Sequence, residues 1–278
     1  MLFAREEGRM PNQSDTFLEG EADNYFRRNK AALDSAAATL GKEFSGTDWV
    51  HQALAPFKDK IHSVLEIGCS NGTQLERICA LLDTKGSGID PSRLAVAEGN
   101  RKYEGGKMQL HTGTASSLPF EPQSFDFVYF GFCLYLLDRQ NLFSAIAEAD
   151  RVLKTGGFLV ITDFDPVRQH KRSYHHKEGV FSFKQDYSRV FTKSGMYYLV
   201  SKNSFSHRQS FFLMQTETNA YQQRFCSKRL RPIDRFRRLA ALLLSPLPLP
   251  HGRLFHHREL NLPQHRIDSV HQHTNLVA

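Results

Sequence analysis

The stretch VLEIGCSNGTQLERICALL, residues 64–82, opens on an apolar run, breaks at two glycines and closes with apolar positions at helical spacing. VLEI reads as a buried strand and TQLERICALL as an amphipathic helix. The turn between them sets a helix N-terminus against a strand end, the arrangement open α/β sheets use to hold nucleotides.

The glycine spacing decides which nucleotide. A dinucleotide turn needs G-x-G-x-x-G, so that three close backbone approaches cradle a pyrophosphate. Counting from Gly68, the second and third glycine positions hold Ser70 and Thr73. The spacing is instead E-x-G-x-x-x-G, carried by Glu66, Gly68 and Gly72. An acid ahead of the turn repels a pyrophosphate and suits a ligand with positive charge. Farther on, Asp90 ends a second strand in GSGIDPS (86–92). A carboxylate there can accept both hydroxyls of an unphosphorylated ribose, or simply cap the next helix. An adenosine with a cationic tail and no phosphates meets all three conditions, and S-adenosylmethionine is such a molecule.

Outward from this turn, strand and helix alternate. Strands are expected at 64–67, 86–90, 108–113, 125–130 and 156–164, with helices over 72–82, 91–102 and 139–153. That rhythm means crossover units and a parallel sheet covered on both faces. MYYLVSKNSFSHRQSFFLMQT (196–216) reads as two strands joined directly, an antiparallel hairpin on the sheet edge. The expected fold is α/β, a Rossmann-like doubly wound, mostly parallel seven-stranded sheet with a C-terminal antiparallel hairpin, plus N-terminal helices over 15–40 and near Trp49 to Phe57. The domains follow: an N-terminal helical cap over 1–60, the ligand-binding domain over 61–216, and a basic, His/Pro-rich tail over 217–278, read as flexible apart from a short helix at 232–244.

Composition narrows the class. Of 278 residues 40% are hydrophobic, enough for a buried core. The apolar run LAALLL (239–244) falls far short of the ~20 residues a spanning helix needs. The charged N-terminus has no apolar signal core, which argues against secretion. Four scattered cysteines (Cys69, Cys79, Cys133, Cys226) have neither disulfide nor zinc spacing, so they read as free thiols in a cytoplasmic protein without a metal. Of the net charge of +7, most lies beyond residue 215, where ten Lys and Arg face four acids. The basicity belongs to the tail and says little about what the core binds.

The block 64–165 resembles the class I S-adenosylmethionine-dependent methyltransferases of small-molecule type. EIGCSNG is similar to the first motif of that family, with Ser70 at the usual second glycine. GIDPS resembles its ribose-binding motif, GTASSLPFEPQSFDFVYF its third motif and fourth strand, and LKTGGFLVITDF its fifth. The resemblance implies that Glu66, Gly68, Ser70 and Gly72 shape the methionine end of the cofactor. It implies that Asp90, beside Pro91, holds the ribose, that Thr114 and Ala115 meet the adenine, and that Phe130 and Gly131 line the exit of the methyl group. The family often carries an acid where this chain has Thr114, so that contact would rest on a hydroxyl. DNYFRRNK (23–30) resembles an N-terminal signature of methyltransferases associated with bacterial nonulosonic-sugar and surface-polysaccharide pathways. That likeness implies that Tyr25, Arg28 and Asn29 fold over the cofactor, and it points to a saccharide precursor as acceptor.

Methyl transfer from a sulfonium needs an aligned nucleophile, exclusion of water and, for a hydroxyl acceptor, a base. Tyr135, Asp163, Asp165, His175 and His176 stand at or after strand C-termini, and His176 is the preferred base because imidazole has the right intrinsic pKa. The long polar segment 165–187 is expected to cover a small polar or anionic acceptor. Two other readings stand beside this one. A nicotinamide-dependent dehydrogenase is opposed by Glu66 and the missing third glycine. A non-enzymatic binder of nucleic acid or acidic surfaces would work through RFCSKRLRPIDRFRR (224–238), which lacks the interleaved aromatics of a stacking platform.

Overall fold

A computed structural model describes residues 12–38, 54–206 and 220–228 of the chain. A central sheet of seven strands runs in the order β3-β2-β1-β4-β5-β9-β8. Its parallel strands are β1 (Ser63–Ile67), β2 (Lys85–Asp90), β3 (Met108–Thr112), β4 (Phe125–Gly131) and β5 (Leu153–Phe164). The edge is finished by β9 (Ala220–Lys228), antiparallel to both β5 and β8 (Tyr197–Ser206). The order reverses between β1 and β4, which opens a crevice above their C-terminal ends.

Strand alternation divides the core. Leu65, Ile67, Val128 and Phe130 face one side, where Ala145, Ala149 and Val152 of helix Arg139–Val152 cover them. Val64, Phe127 and Tyr129 face the other, against Leu75, Ile78 and Leu82 of helix Thr73–Leu82. Apolar runs such as FDFVYF are therefore buried on both faces, as a parallel sheet requires.

Helix Gln13–Thr16 (α1) and helix Ala22–Ala38 (α2) form a cap over that crevice. The break between them is at Gly20, at φ 147°, a backbone conformation that favours glycine. The remaining helices are Thr73–Leu82 (α3), Arg93–Lys102 (α4), Arg139–Val152 (α5) and Ser188–Thr192 (α6). None of the described helices is long and apolar enough to cross a membrane.

The described elements differ from the expected ones in two places. The second arm of the edge hairpin is Ala220–Lys228 rather than a run ending by residue 216, so the sheet reaches into the stretch read as tail. The segment 165–187 contains a two-stranded hairpin of its own, β6 (His170–Ser173) with β7 (Phe181–Lys184). The helix expected near Trp49 to Phe57 lies mostly outside the described residues; its described end, Leu54, is helical and runs into a 3-10 helix at Ala55–Lys60. The proposed helix at 232–244 and most of the basic run 224–238 lie outside the described residues.

Candidate active site

The turn after β1 is built on left-handed backbone. Gly68 has φ 80° and Gly72 φ 75°, and Ser70, standing where the second glycine is usual, adopts φ 49°. A Cβ on Gly68 would lie 2.7 Å from Cβ of Cys133, and one on Gly131 would lie 2.6 Å from Oε1 of Glu66. The two glycines thus let the β1 and β4 ends approach each other and the acid between them.

Above these ends lies a cavity of about 410 Å³. Glu66, Gly68, Ser70, Asp90, Pro91, Thr114, Ala115 and Gly131 line it from the sheet side, and Tyr25 and Asn29 line it from the cap. Gly72 sits behind that wall as the N-cap of α3, with its α-carbon turned toward Leu110. Besides Gly72, three predicted residues are not brought to the cavity. Phe130 is fully buried against Phe191, because strand alternation turns it to the face opposite Tyr129 and Gly131. Arg28 instead bridges Glu21 at 2.5 Å and the Tyr174 hydroxyl at 3.0 Å. His176 is exposed beside Tyr174, ring centroids 5.3 Å apart, where the β6–β7 hairpin turns. The base expected there is not in the cavity.

Residues missed by sequence reasoning complete the walls: Phe17, Phe26 and Leu33 from the cap, Asn71 and Gln74 from the turn and α3, and Phe132, Leu136 and Leu137 after β4. Strand parity alone would set Phe132 on the buried face of Phe130; its left-handed backbone, φ 59°, ends the alternation after Gly131 and brings it to the cavity wall.

The electrostatics are dominated by two carboxyls, one buried (Glu66) and one half-buried (Asp90). Glu66 is 2% exposed, and burial, followed by the charge of Asp90, holds its carboxyl well above the usual range. Its Oε2 has no hydrogen-bond partner among the described residues. Asp90 is pushed up to about 6 by burial, although the backbone N–H groups of Ser92 and Ser70, each at 2.8 Å, favour its charged form. Both oxygens of Asp90 retain lone pairs for further donors. Among the described residues no Lys, Arg or His lines the cavity.

The cap is tied down at both ends. Gln13 donates to the carbonyls of Leu136 (2.6 Å) and Phe181 (3.0 Å) and accepts from the Phe181 N–H (2.8 Å). On the other side Ser92 Oγ donates to Asp23 (2.7 Å), and Lys30 pairs with Glu98 at 2.7 Å. Each clasp on this side continues to the turn: Ser92 also contacts Asp90, and Glu98 accepts from Asn71 at 3.3 Å.

An orphaned acid oxygen, a glycine cradle and a half-buried acid at the second strand end fit a cationic nucleoside and oppose a pyrophosphate. Comparison with known proteins agrees. Residues 64–157 match a family model described as Methyltransferase domain. This stretch is a class I S-adenosylmethionine-dependent methyltransferase domain, and S-adenosylmethionine is the cofactor of that class. An uncharacterized protein of Haemophilus influenzae is 34% identical over 121 residues, 42% of this chain and 47% of that protein. The ubiquinone/menaquinone biosynthesis C-methyltransferase UbiE of Rhizobium rhizogenes is 27% identical over 193 residues, 64% of this chain and 72% of that one. The chain spans about half the length of two of the curated relatives it matches, 47% and 52%. Among solved structures, the MccD protein has a TM-score of 0.51 at 18% identity, covering 66% of this chain and 98% of that chain. The [4+2]-cyclase SpnF reaches 0.50 at 16% identity, covering 66% and 81%. These last two likenesses show the fold alone, and a cyclase among them illustrates that the fold does not choose the reaction.

Proposed function

We propose that the protein transfers the methyl group of S-adenosylmethionine to a small acceptor that is uncharged where it enters the cavity. The observation that carries this reading is the pair of acids, buried Glu66 and half-buried Asp90, in a cavity that no basic side chain among the described residues lines. The cofactor supplies an electrophilic methyl group. This chain binds and orients it: Glu66 offers an unpaired oxygen to a cationic or N–H donor, and Asp90 accepts from the ribose hydroxyls. The cap excludes water, and Thr114 and Ala115 bound the end of the slot at the adenine.

The acceptor class follows from charge and apolarity. The walls away from these residues are largely Phe17, Phe26, Leu33, Phe132, Leu136 and Leu137, with Tyr25 as a polar handle. A sugar nucleotide would bring its diphosphate toward two acids, Glu66 and Asp90, so a saccharide precursor is the weaker candidate. An uncharged ring compound is the stronger one, in keeping with the quinone-biosynthesis names of several relatives. The test is methyl transfer from labelled S-adenosylmethionine to a panel of quinols, phenols, neutral saccharides and sugar nucleotides. Transfer to ring acceptors is expected, and transfer confined to sugar nucleotides would overturn the acceptor assignment.

A further inference from the structure

Phe132 is the feature of the cavity that binding of the cofactor does not explain. It follows the last residue of β4 and adopts φ 59°, a left-handed conformation that is a genuine outlier for an aromatic residue. Such strain persists only where the surroundings enforce it, and it gathers at functional sites. Here the Phe132 N–H donates to the Thr162 carbonyl at 2.9 Å. The ring lies 5.3 Å from Tyr135 and 4.9 Å from Phe164, centroid to centroid. The result is an aromatic side chain fixed on the cavity wall immediately after Gly131, which faces Glu66.

Tyr25 lines the same cavity from the cap, and its phenol interacts with that of Tyr135. The Tyr135 N–H donates to the buried Asp163 carboxylate at 3.2 Å, which anchors the 3-10 turn Leu134–Leu136 to the end of β5. Once the turn at Glu66–Asn71, the Asp90–Ser92 loop and Gly113–Ala115 are assigned to the cofactor, the lining left over is centred on Phe132, Tyr25, Phe17, Leu136 and Leu137.

We propose that Phe132 and Tyr25 are the specificity-determining residues for the acceptor: Phe132 supplies a stacking platform for a flat ring, and Tyr25, backed by Tyr135, holds a hydroxyl on that ring. This rests on the methyltransferase reading and names the residues that would enforce its acceptor class. Burial raises the pKa of both phenols, so at neutral pH they are protonated. They position the acceptor by hydrogen bonding and do not take its proton. A rigid aromatic with two χ angles suits such a platform, since stacking geometry is fixed in advance.

The test uses the full chain loaded with S-adenosylhomocysteine and titrated with three probes: hydroquinone, cyclohexane-1,4-diol and 1,4-dimethoxybenzene. The flat diol should bind about two- to tenfold more tightly than its saturated counterpart, the range expected of an aromatic pair. Phe132→Leu should erase that preference while leaving S-adenosylhomocysteine affinity unchanged. Tyr25→Phe should weaken hydroquinone by about threefold to tenfold, as loss of one hydrogen bond does, and dimethoxybenzene, whose ether oxygens accept but cannot donate, by less. Equal binding of the flat and saturated diols by the wild type, or unaltered hydroquinone affinity in Tyr25→Phe, overturns the proposal. Should Phe132→Leu fail to fold, Tyr25→Phe, which loses one oxygen, decides alone. If wild-type protein does not bind S-adenosylhomocysteine, the methyltransferase reading itself falls, and this assignment with it.

Discussion

Asp90 is the residue on which the cofactor site turns, and its protonation gives a pH signature. Its carboxyl is raised to about 6, and ribose hydroxyls donate to the ionised form. S-adenosylhomocysteine affinity should therefore fall by up to about tenfold per unit below pH 6 and level off above it. Calorimetric titration from pH 5 to 8 checks this, and Asp90→Asn should show a weaker, flat profile. Stability responds with its own sign. Asp90 and Asp163, the latter held at about 7 chiefly by burial, both have folded values above the ordinary 3.8. The folded state then binds more protons than the unfolded one between about pH 4 and 7, so these groups make unfolding easier as pH rises through that window. Denaturant midpoints across it should decline, and Asp163→Asn should flatten the decline. At Gly68, alanine would adopt φ 80° and press on Cys133, costing about 1–3 kcal/mol from backbone strain alone, before the clash. A melting curve of Gly68→Ala reads it.

At the scale of elements, legibility followed burial. VLEI and FDFVYF are apolar runs because both sheet faces are covered, and β1 and β4 lie where those runs stand. The same logic located Glu66, Gly68 and Gly72 along one strand–turn–helix unit and Asp90 at the end of the next strand. The second hairpin arm was illegible: AYQQRFCSK has no apolar alternation, and its place in the sheet comes from pairing with β5 and β8. HKRS and FSFK are four-residue strands too short to show a period. Phe130 was misassigned because motif position was read without strand parity, and His176 because a favourable pKa was weighed without knowledge of where the hairpin points. The strand Ala220–Lys228 makes a direct prediction. A chain ending at residue 216 would leave the β5 edge unpaired and should aggregate, whereas one ending at 228 keeps the edge closed. Soluble yield of the two truncations distinguishes the cases.

For the whole molecule, the cap and the sheet act together. The cavity is bounded on one side by α1 and α2, and Gly20 between the two helices has no described residue within 4 Å of where a Cβ would stand. The clasps that hold α2 down run through Ser92 and Glu98 into the cofactor turn. Glu98→Gln should raise the dissociation rate of S-adenosylhomocysteine by about threefold to tenfold, while the melting temperature moves little, because Lys30–Glu98 is a partly exposed pair. Stopped-flow displacement measures it. The central claim is that this cavity holds a cationic nucleoside and rejects a pyrophosphate. Calorimetric titration of the wild type and of Asp90→Ala with S-adenosylmethionine and with NAD tests that claim most directly. The account predicts one-to-one binding of S-adenosylmethionine by the wild type, its loss or severe weakening in Asp90→Ala, and no binding of NAD by either. Binding of NAD, or S-adenosylmethionine affinity unchanged in Asp90→Ala, would contradict it.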